Sequence, residues 1–247
     1  MIVAKTEKRE MNTRFNPTAN GRLHLGHLYL ALLNHHAARK AGGRFIVRFD
    51  DDQPYWLKRL GPHVVTGYCS MIRDDLEWAG LIADRYSYES VERSANEGFL
   101  HGDLASLQHA QGVSPTPEIL TCDRPYPYAP YLTAVKVVQD YREDCGLLIR
   151  GEDLVTEFSL YLYFCRVLGF MVPRFQYVPK LECAGQDLSD VSKTAGNFKI
   201  ADFRERGSSP AQVVELLAES CLIDPAAGWR FENVKPQPAL PGDMPWV

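Results

Sequence analysis

Apolar and polar residues alternate in blocks along the first part of the chain. Residues 13–15 form a short strand candidate, and the Pro, Asn and Gly residues of segment 16–21 predict a loop. Leucines then recur at helical spacing over residues 23–41, after which two glycines end the pattern. The apolar run 45–49 is typical of a buried strand. Strand, loop, helix and strand in this order predict a βαβ unit built on a parallel sheet.

The later part of the chain contains further helical and extended patterns. Helices are predicted over residues 62–81, 157–168 and 210–221, and strands over residues 135–138 and 146–149. Residues 85–130 are irregular and contain several prolines, which predicts a long loop-rich excursion. The proline-containing tail from residue 225 is predicted to be extended.

Composition narrows the class of protein. The 247 residues are 45% hydrophobic and 23% charged, so the chain has enough apolar surface to fold, and disorder as its main state is excluded. The formal net charge of −4 argues against a protein held to nucleic acid by bulk positive charge. Six cysteines form no CxxC or CxC pair, so no structural zinc site is predicted. No segment has 18 consecutive apolar residues, and we expect a cytoplasmic protein without a membrane partner.

Two histidines at the start of the first predicted helix are candidates for chemistry. His24 and His27 are three positions apart and therefore share a helix face. The N-terminus of a helix favours phosphate, and Gly26 lets a bulky group approach the backbone. This pattern indicates a site for the phosphates of a nucleotide. Two surface histidines without a function are the alternative for so short a motif.

A second candidate lies far along the chain, in the Gly-, Asp- and Ser-rich loop 184–197. It presents Lys193 beside Ser192, followed by Gly196 and Asn197. A lysine on a closing loop can stabilise charge that forms only in the transition state. The alternative is a solvated loop.

Five segments in this order resemble the motifs of class I aminoacyl-tRNA synthetases of the glutamyl/glutaminyl branch. The segments are RFNPTANGRLHLGH (residues 14–27), VRFDD (47–51), RGEDL (150–154), Leu168-Gly169 with Pro173, and the loop around Lys193, which resembles the KMSKS motif. The similarity covers residues 13–93 and 131–220. It implies an α/β fold, with a Rossmann-like doubly wound parallel sheet, a short inserted connective segment and a small helical C-terminal part.

The resemblance also implies a reaction and a set of site residues. The carboxylate of an amino acid attacks the α-phosphorus of ATP to give an aminoacyl-adenylate and pyrophosphate, with Mg²⁺ expected alongside ATP and no metal site in the protein. His24, His27 and Lys193 are the implied catalytic residues. ATP binding is implied for Thr18, His24, Gly26, His27, Glu152, Asp153, Ser192 and Lys193, and amino-acid binding for Arg14, Asn16, Thr18, Asp50, Tyr131 and Arg150. Arg14 is expected to pair with a carboxylate of the substrate and Asp50 with its α-ammonium.

Three positions depart from the family pattern. Asp190 stands where the family usually has the first Lys of KMSKS, and Tyr177 stands where the branch often has a His. The family has a Tyr in the amino-acid pocket near this point of the chain. Leu132 is in register with that position, and Tyr131 is one residue out of register. If this segment is a strand, a shift by one residue turns the side chain to the opposite face, so only one of the two positions faces the pocket.

The resemblance divides the chain into an N-terminal arm (1–12), two halves of the catalytic domain (13–93 and 131–200), a connective insertion (94–130) and a C-terminal helix with a Pro-rich tail (201–247). In the family, the insertion is much longer and grips tRNA, and an anticodon-binding domain follows, for which 50 residues after Asn197 leave no room. We therefore expect glutamate, glutamine or a related acid to be activated and transferred to a small molecule or a carrier protein. The alternatives are a tRNA acceptor and a non-catalytic protein that binds ATP or an amino acid.

Overall fold

The computed structural model describes residues 11–94, 130–178, 182–183, 186–187 and 199–220. Its strands are β1 (Asn12–Phe15), β2 (Phe45–Phe49), β3 (Arg85–Tyr88), β4 (Cys145–Gly151), β5 (Arg174–Val178), β6 (Glu182–Cys183) and β7 (Gln186–Asp187). Its helices are α1 (Leu25–Ala41), α2 (Pro54–Leu60), α3 (Pro62–Trp78), α4 (Pro130–Arg142), α5 (Phe158–Val167), α6 (Ile200–Glu205) and α7 (Pro210–Ser220), and a 3-10 helix (Glu152–Glu157) connects β4 to α5.

The first five strands form one parallel sheet in the order β3-β2-β1-β4-β5, while β6 and β7 form a separate antiparallel pair. The chain moves outward from β1 through β2 to β3, then crosses to the other side of β1 for β4 and β5. The direction of winding therefore reverses between β1 and β4. Open α/β sheets bind ligands at the carboxyl end of the strands beside such a reversal.

Alternate side chains of the strands pack into two apolar layers, one on each face of the sheet. Phe45 and Val47 of β2 join a cluster that contains Leu28 of α1, whereas Ile46 joins a second cluster that contains Ala134 of α4. Because successive residues of a strand point to opposite faces, this alternation requires helices on both sides. The predicted doubly wound α/β fold is confirmed.

Most predicted elements are confirmed with small changes at their ends, namely the strands at 13–15, 45–49 and 146–149 and the helices at 23–41, 62–81, 157–168 and 210–221. Gly42 ends α1 as predicted, in a left-handed conformation with φ of 71°. The excursion 85–130 begins with β3, which was not predicted, and residues 95–129 lie outside the described part. The short helices α2 and α6 and the strand β5 were also not predicted.

The strand predicted at residues 135–138 is wrong, because these residues belong to helix α4. Every residue from 133 to 140 is buried, so no solvent-exposed face marks the helical period. A short apolar run of this kind does not distinguish a strand from a buried helix. The choice between Tyr131 and Leu132 consequently changes its meaning: one residue along a helix rotates a side chain by about 100°, and not to the opposite face.

A buried network of charges joins α4 to the sheet. The carboxylate of Asp140 accepts hydrogen bonds from Arg14 Nε (2.9 Å) and NH2 (2.7 Å), from Arg48 NH1 (2.9 Å) and from the Tyr161 hydroxyl (3.0 Å). Glu143, directly after the end of α4, pairs with Arg48 NH2. Burial by itself raises the pKa of Asp140, but the two guanidinium groups outweigh it and hold this pKa well below its usual range. The network links β1, β2, α4 and α5 through a single carboxylate.

None of the described helices is long and apolar enough to cross a membrane.

We expect Asp140→Asn to destabilise the fold by about 3–5 kcal/mol, because it leaves two buried guanidinium groups without a full counter-charge. Urea denaturation followed by circular dichroism measures this change. The matched control is Glu77→Gln, which removes the surface ion pair with Arg73 (2.7 Å) and should leave stability nearly unchanged. Equal effects of the two substitutions would contradict the structural role of Asp140.

Candidate active site

The loops after β1 and β2 are held together at the carboxyl edge of the sheet. Asp50 N donates to Pro17 O (3.0 Å), and Ala19 N donates to Asp50 O (3.1 Å). Thr18 and Asp50 thereby form an isolated parallel bridge, and Thr18 Oγ1 lies 3.3 Å from Asp50 Oδ2. Two of the residues expected to contact the substrate are thus adjacent, at the end of the sheet where ligands bind.

His24 and His27 cap the N-terminus of α1. His24 Nδ1 accepts a hydrogen bond from Gly26 N (3.1 Å), and His27 Nδ1 accepts one from His24 N (3.5 Å). Their rings lie 3.7 Å apart between centroids. A Cβ atom on Gly26 would come within 3.1 Å of the His24 ring, so glycine leaves room for this arrangement. The motif therefore orders both imidazoles at the start of the helix.

Both histidines are neutral at physiological pH. Burial lowers the pKa of His24 to about 4, and burial together with the neighbouring His24 lowers the pKa of His27 to about 3. Since each Nδ1 accepts a hydrogen bond, the proton is assigned to Nε2 of each ring. Both imidazoles can then donate from Nε2 to a phosphate oxygen without carrying a charge.

The segment that follows the loop 184–197 returns to the same helix terminus. His24 forms an antiparallel bridge with Lys199, and Ile200 N donates to Leu23 O (2.9 Å). Ser192 and Lys193 lie outside the described residues, as does Asp190. Lys199 is six positions after Lys193, a length of chain that spans at most about 20 Å.

Asp50 lies within a group of buried charges that sequence reasoning did not assemble. The carboxylate oxygens of Asp50, Asp52 and Glu89 approach within 4.8 Å of one another. Lys136 Nζ of α4 lies 3.7 Å from Asp50 Oδ2 and 3.8 Å from Glu89 Oε1, and Arg93 NH2 lies 2.5 Å from Asp52 Oδ2. We call these five residues the acidic pocket. The signal in the sequence was a lysine inside the apolar run of residues 134–138.

The acidic pocket binds protons more tightly than isolated carboxylates do. Burial, and then the charge of Glu89, raise the pKa of Asp50 well above its usual range, although Lys136 lowers it. Burial and Glu89 raise the pKa of Asp52 to about 7 against the opposing charge of Arg93. Three carboxylates face two cations in this group, so one negative charge is uncompensated when all three are ionised.

The other residues expected to bind the amino acid already have partners within the chain. Arg14 pairs with Asp140, as described, and its NH1 donates to Asn16 Oδ1 (3.2 Å). The Asn16 amide donates to Arg48 O (2.8 Å). Arg150 NH2 donates to Glu157 Oε2 (2.7 Å). The side chain of Tyr131 lies outside the described part of the structure.

The residues after β4 follow the strand that lies next to β1, across the point where the winding of the sheet reverses. Glu152 and Asp153 begin the 3-10 helix, where Glu152 is half-buried and Asp153 is exposed. A Cβ atom on Gly151 would meet the Asp153 carboxylate, which would then have to move aside. Tyr177, at the position where the family often has a His, is buried on the adjacent strand β5.

Neither cluster of carboxylates among the described residues fits a resident Mg²⁺ ion. The group formed by Asp140, Glu143 and Cys145 is compensated by Arg14 and Arg48. In the acidic pocket, the Lys136 ammonium already lies close to two of the three carboxylates. A Mg²⁺ ion that accompanies ATP would therefore be held mainly by the phosphates.

Comparison with known proteins agrees with the motifs. Residues 10–99 match the family model for the catalytic domain of class I tRNA synthetases (E and Q). A glutamate–tRNA ligase of Ruegeria pomeroyi is 28% identical, over 86% of this chain and 61% of that protein. A glutamate–tRNA ligase of Dinoroseobacter shibae is 47% identical over 78 residues, which make up 32% of this chain and 16% of that protein. The resemblance to the glutamyl/glutaminyl branch is confirmed.

Solved structures support the same fold. The glutamate–tRNA synthetase of Elizabethkingia anophelis has a TM-score of 0.62 at 18% identity, over 85% of this chain and 61% of that one. A tyrosyl-tRNA synthetase of Archaeoglobus fulgidus has a TM-score of 0.59 at 16% identity. The chain spans about three-fifths of the length of the relatives that it matches over most of its own length.

We expect His24 and His27 to remain neutral and protonated at Nε2 between about pH 5.5 and 8, because burial opposes their protonation. Long-range ¹H–¹⁵N correlation spectra of the imidazole rings distinguish the tautomers and follow the titration. The unfolded protein in urea serves as the reference in which histidines titrate normally. A midpoint above pH 6 for both residues would contradict their burial.

Proposed function

We propose that this chain activates glutamate or a closely related amino acid with ATP. A carboxylate oxygen of the amino acid attacks the α-phosphorus, the bond from that phosphorus to the bridging oxygen of pyrophosphate breaks, and an aminoacyl-adenylate and pyrophosphate form. The observation that carries this proposal is the junction of Thr18 and Asp50 with the His24–His27 helix terminus at one edge of the sheet. This junction offers a site for phosphates directly beside a site for an ammonium group.

The nucleotide half of the site is proposed to act through donors that are ordered before ATP binds. His24 and His27 donate from Nε2 to phosphate oxygens, and Gly26 exposes the helix terminus to them. Glu152 and Asp153 accept hydrogen bonds from the ribose hydroxyls across the reversal. Ser192 and Lys193 hold the departing pyrophosphate, and the bridge between His24 and Lys199 supports this role, because Lys199 follows their loop in the sequence and lies at the same terminus.

The amino-acid half of the site is supported by its charge. The acidic pocket is one cation short of neutrality, and a substrate α-ammonium supplies a single positive charge of compact shape. Thr18 contacts Asp50 directly, and Asn16 is half-buried on the same loop. We therefore propose that Asp50 accepts the α-ammonium, with Thr18 adding a polar contact.

In the proposed site, Arg14 and Arg150 each bind a substrate carboxylate in addition to the carboxylate that each already binds within the chain. A guanidinium group has five N–H donors, so a substrate carboxylate can be added beside Asp140 or Glu157 without removing them. Asp140 binds Arg14 at two nitrogen atoms. Tyr131 completes the proposed amino-acid set, with Leu132 as the alternative position.

The proposed acceptor is tRNA. The relatives named above are glutamate–tRNA ligases, and they give no support to the small-molecule or carrier-protein acceptor expected from the sequence. They do not favour a non-catalytic protein that binds ATP or an amino acid either. Transfer experiments with both kinds of acceptor distinguish these proposals.

We expect the protein to exchange pyrophosphate into ATP in a glutamate-dependent reaction. We expect Lys193→Ala to lower kcat about a hundredfold with a smaller effect on the KM for ATP, because the contact of Lys193 strengthens as pyrophosphate leaves. Exchange of ³²P-labelled pyrophosphate measures both quantities. Lys58→Met, an exposed lysine of α2, is the matched control. Absence of exchange with all the common amino acids would refute the activity, and formation of adenylate without labelling of purified tRNA would refute the proposed acceptor.

We also expect glutamate binding to weaken as the pH falls through about 7. The raised pKa values of Asp50 and Asp52 mean that the acidic pocket holds a proton at low pH, and this proton must leave before an ammonium can bind. The affinity should fall by up to about tenfold per pH unit on the acidic side. Calorimetry in two buffers of different protonation enthalpy measures the released proton. Release of no proton near pH 6.5 would contradict the expected exchange of a proton for an ammonium.

A further inference from the structure

Lys136 places a positive charge of the protein itself at the proposed binding site for the substrate ammonium. It is only 4% exposed, and its Nζ atom lies 3.7 Å from Asp50 Oδ2. A second carboxylate, Glu89, lies 3.8 Å away on the other side. A buried lysine between two carboxylates contributes its full charge to the pocket, since water screens it little.

Asp140 lies on the same helix, one turn after Lys136, and its carboxylate binds Arg14. Helix α4 therefore presents an ammonium to Asp50 and a carboxylate to Arg14. These are the two charged groups that an α-amino acid offers, directed at the same two partners that are proposed for it. Side chains of the protein itself therefore contact the two groups that the ammonium and the carboxylate of a bound amino acid are proposed to contact.

The two internal contacts differ in how tightly they are made. The Asp140 carboxylate has two hydrogen bonds from Arg14, one from Arg48 and one from Tyr161, all between 2.7 and 3.0 Å. The contact of Lys136 with Asp50 is an ion pair beyond hydrogen-bonding distance. Asp50 Oδ2 also accepts a hydrogen bond from Gln53 Nε2, so a ligand at this carboxylate shares it with both Lys136 and Gln53.

We propose that Lys136 determines which carboxylic acids this pocket accepts, and that its ammonium allows the pocket to bind acids without an α-ammonium as well as α-amino acids. The proposal rests on the proposed function of the pocket. Without Lys136, Arg93 would be the one cation of the described residues that pairs with the three carboxylates, and an acid without an ammonium would leave two negative charges of this group uncompensated. With Lys136 present, the same acid leaves one negative charge of this group uncompensated. The penalty for the missing ammonium is therefore smaller in this chain.

The chemical step is the same for both classes of acid. A carboxylate oxygen of glutarate, which is glutamate without its amino group, attacks the α-phosphorus of ATP, and pyrophosphate leaves. The products are an acyl-adenylate and pyrophosphate, so no further reactant is required. Glutamate and glutarate therefore form a matched pair of substrates that differ only in the group that Lys136 replaces.

The test measures kcat/KM in pyrophosphate exchange, and Kd by calorimetry, for glutamate and glutarate. In Lys136→Met we expect the preference for glutamate over glutarate to rise at least tenfold over the wild type, because the neutral side chain restores the need for an ammonium. Lys136→Arg, which keeps the charge, and the surface variant Lys58→Met should retain the wild-type preference. A general loss of packing would change both acids alike and leave the ratio constant.

The outcomes separate the two proposals. Exchange with an unchanged or smaller preference in Lys136→Met overturns the role of Lys136 and leaves the proposed function intact. Binding with the expected change in preference but no exchange overturns the proposed function and supports the role of Lys136. If Lys136→Met does not fold, the wild type still decides, because no binding of glutarate at a hundredfold excess over the Kd for glutamate overturns the inference.

Discussion

The carboxylate of Asp140 is the contact on which the rest of this structure depends. It pairs with Arg14 and, together with Glu143, with Arg48, and these arginines project from the adjacent strands β1 and β2 toward α4. Two guanidinium groups side by side in an apolar layer are tolerated only where a counter-charge reaches both. Because Asp140 is on α4, this requirement determines how the helix lies on the sheet. It thereby also places Lys136, one turn earlier, at Asp50.

The two halves of the proposed site are prepared by different physical means. At the terminus of α1, burial and mutual capping keep both imidazoles neutral, so that they act as oriented dipoles. In the acidic pocket, burial and like charges raise the pKa of Asp50, so that a missing cation is replaced by a proton. Donors that are already oriented lose little entropy when phosphate binds, whereas the pocket gains most from a ligand that brings a charge.

The sequence predicted the frame of the protein better than the contacts of its site. Leucine spacing and the apolar run 45–49 were sufficient for β1, α1 and β2, and the motifs located His24, Thr18 and Asp50 at one edge of the sheet. The partners of Arg14 and Asp50 were not predictable, because they come from a helix more than 80 residues away in sequence. Such long-range pairing leaves no local pattern.

Helix α4 shows why one local error extended into the site. When residues 135–138 are taken as a strand, Asp140 falls outside that element, and its direction is unrelated to that of Lys136. As a helix, the same segment brings them onto one face, directed at β1 and β2. A charged residue in an apolar run is costly to bury, so its presence at position 136 already indicated a nearby counter-charge. Polar residues inside apolar runs thus carry information about the site that hydrophobic periodicity alone does not contain.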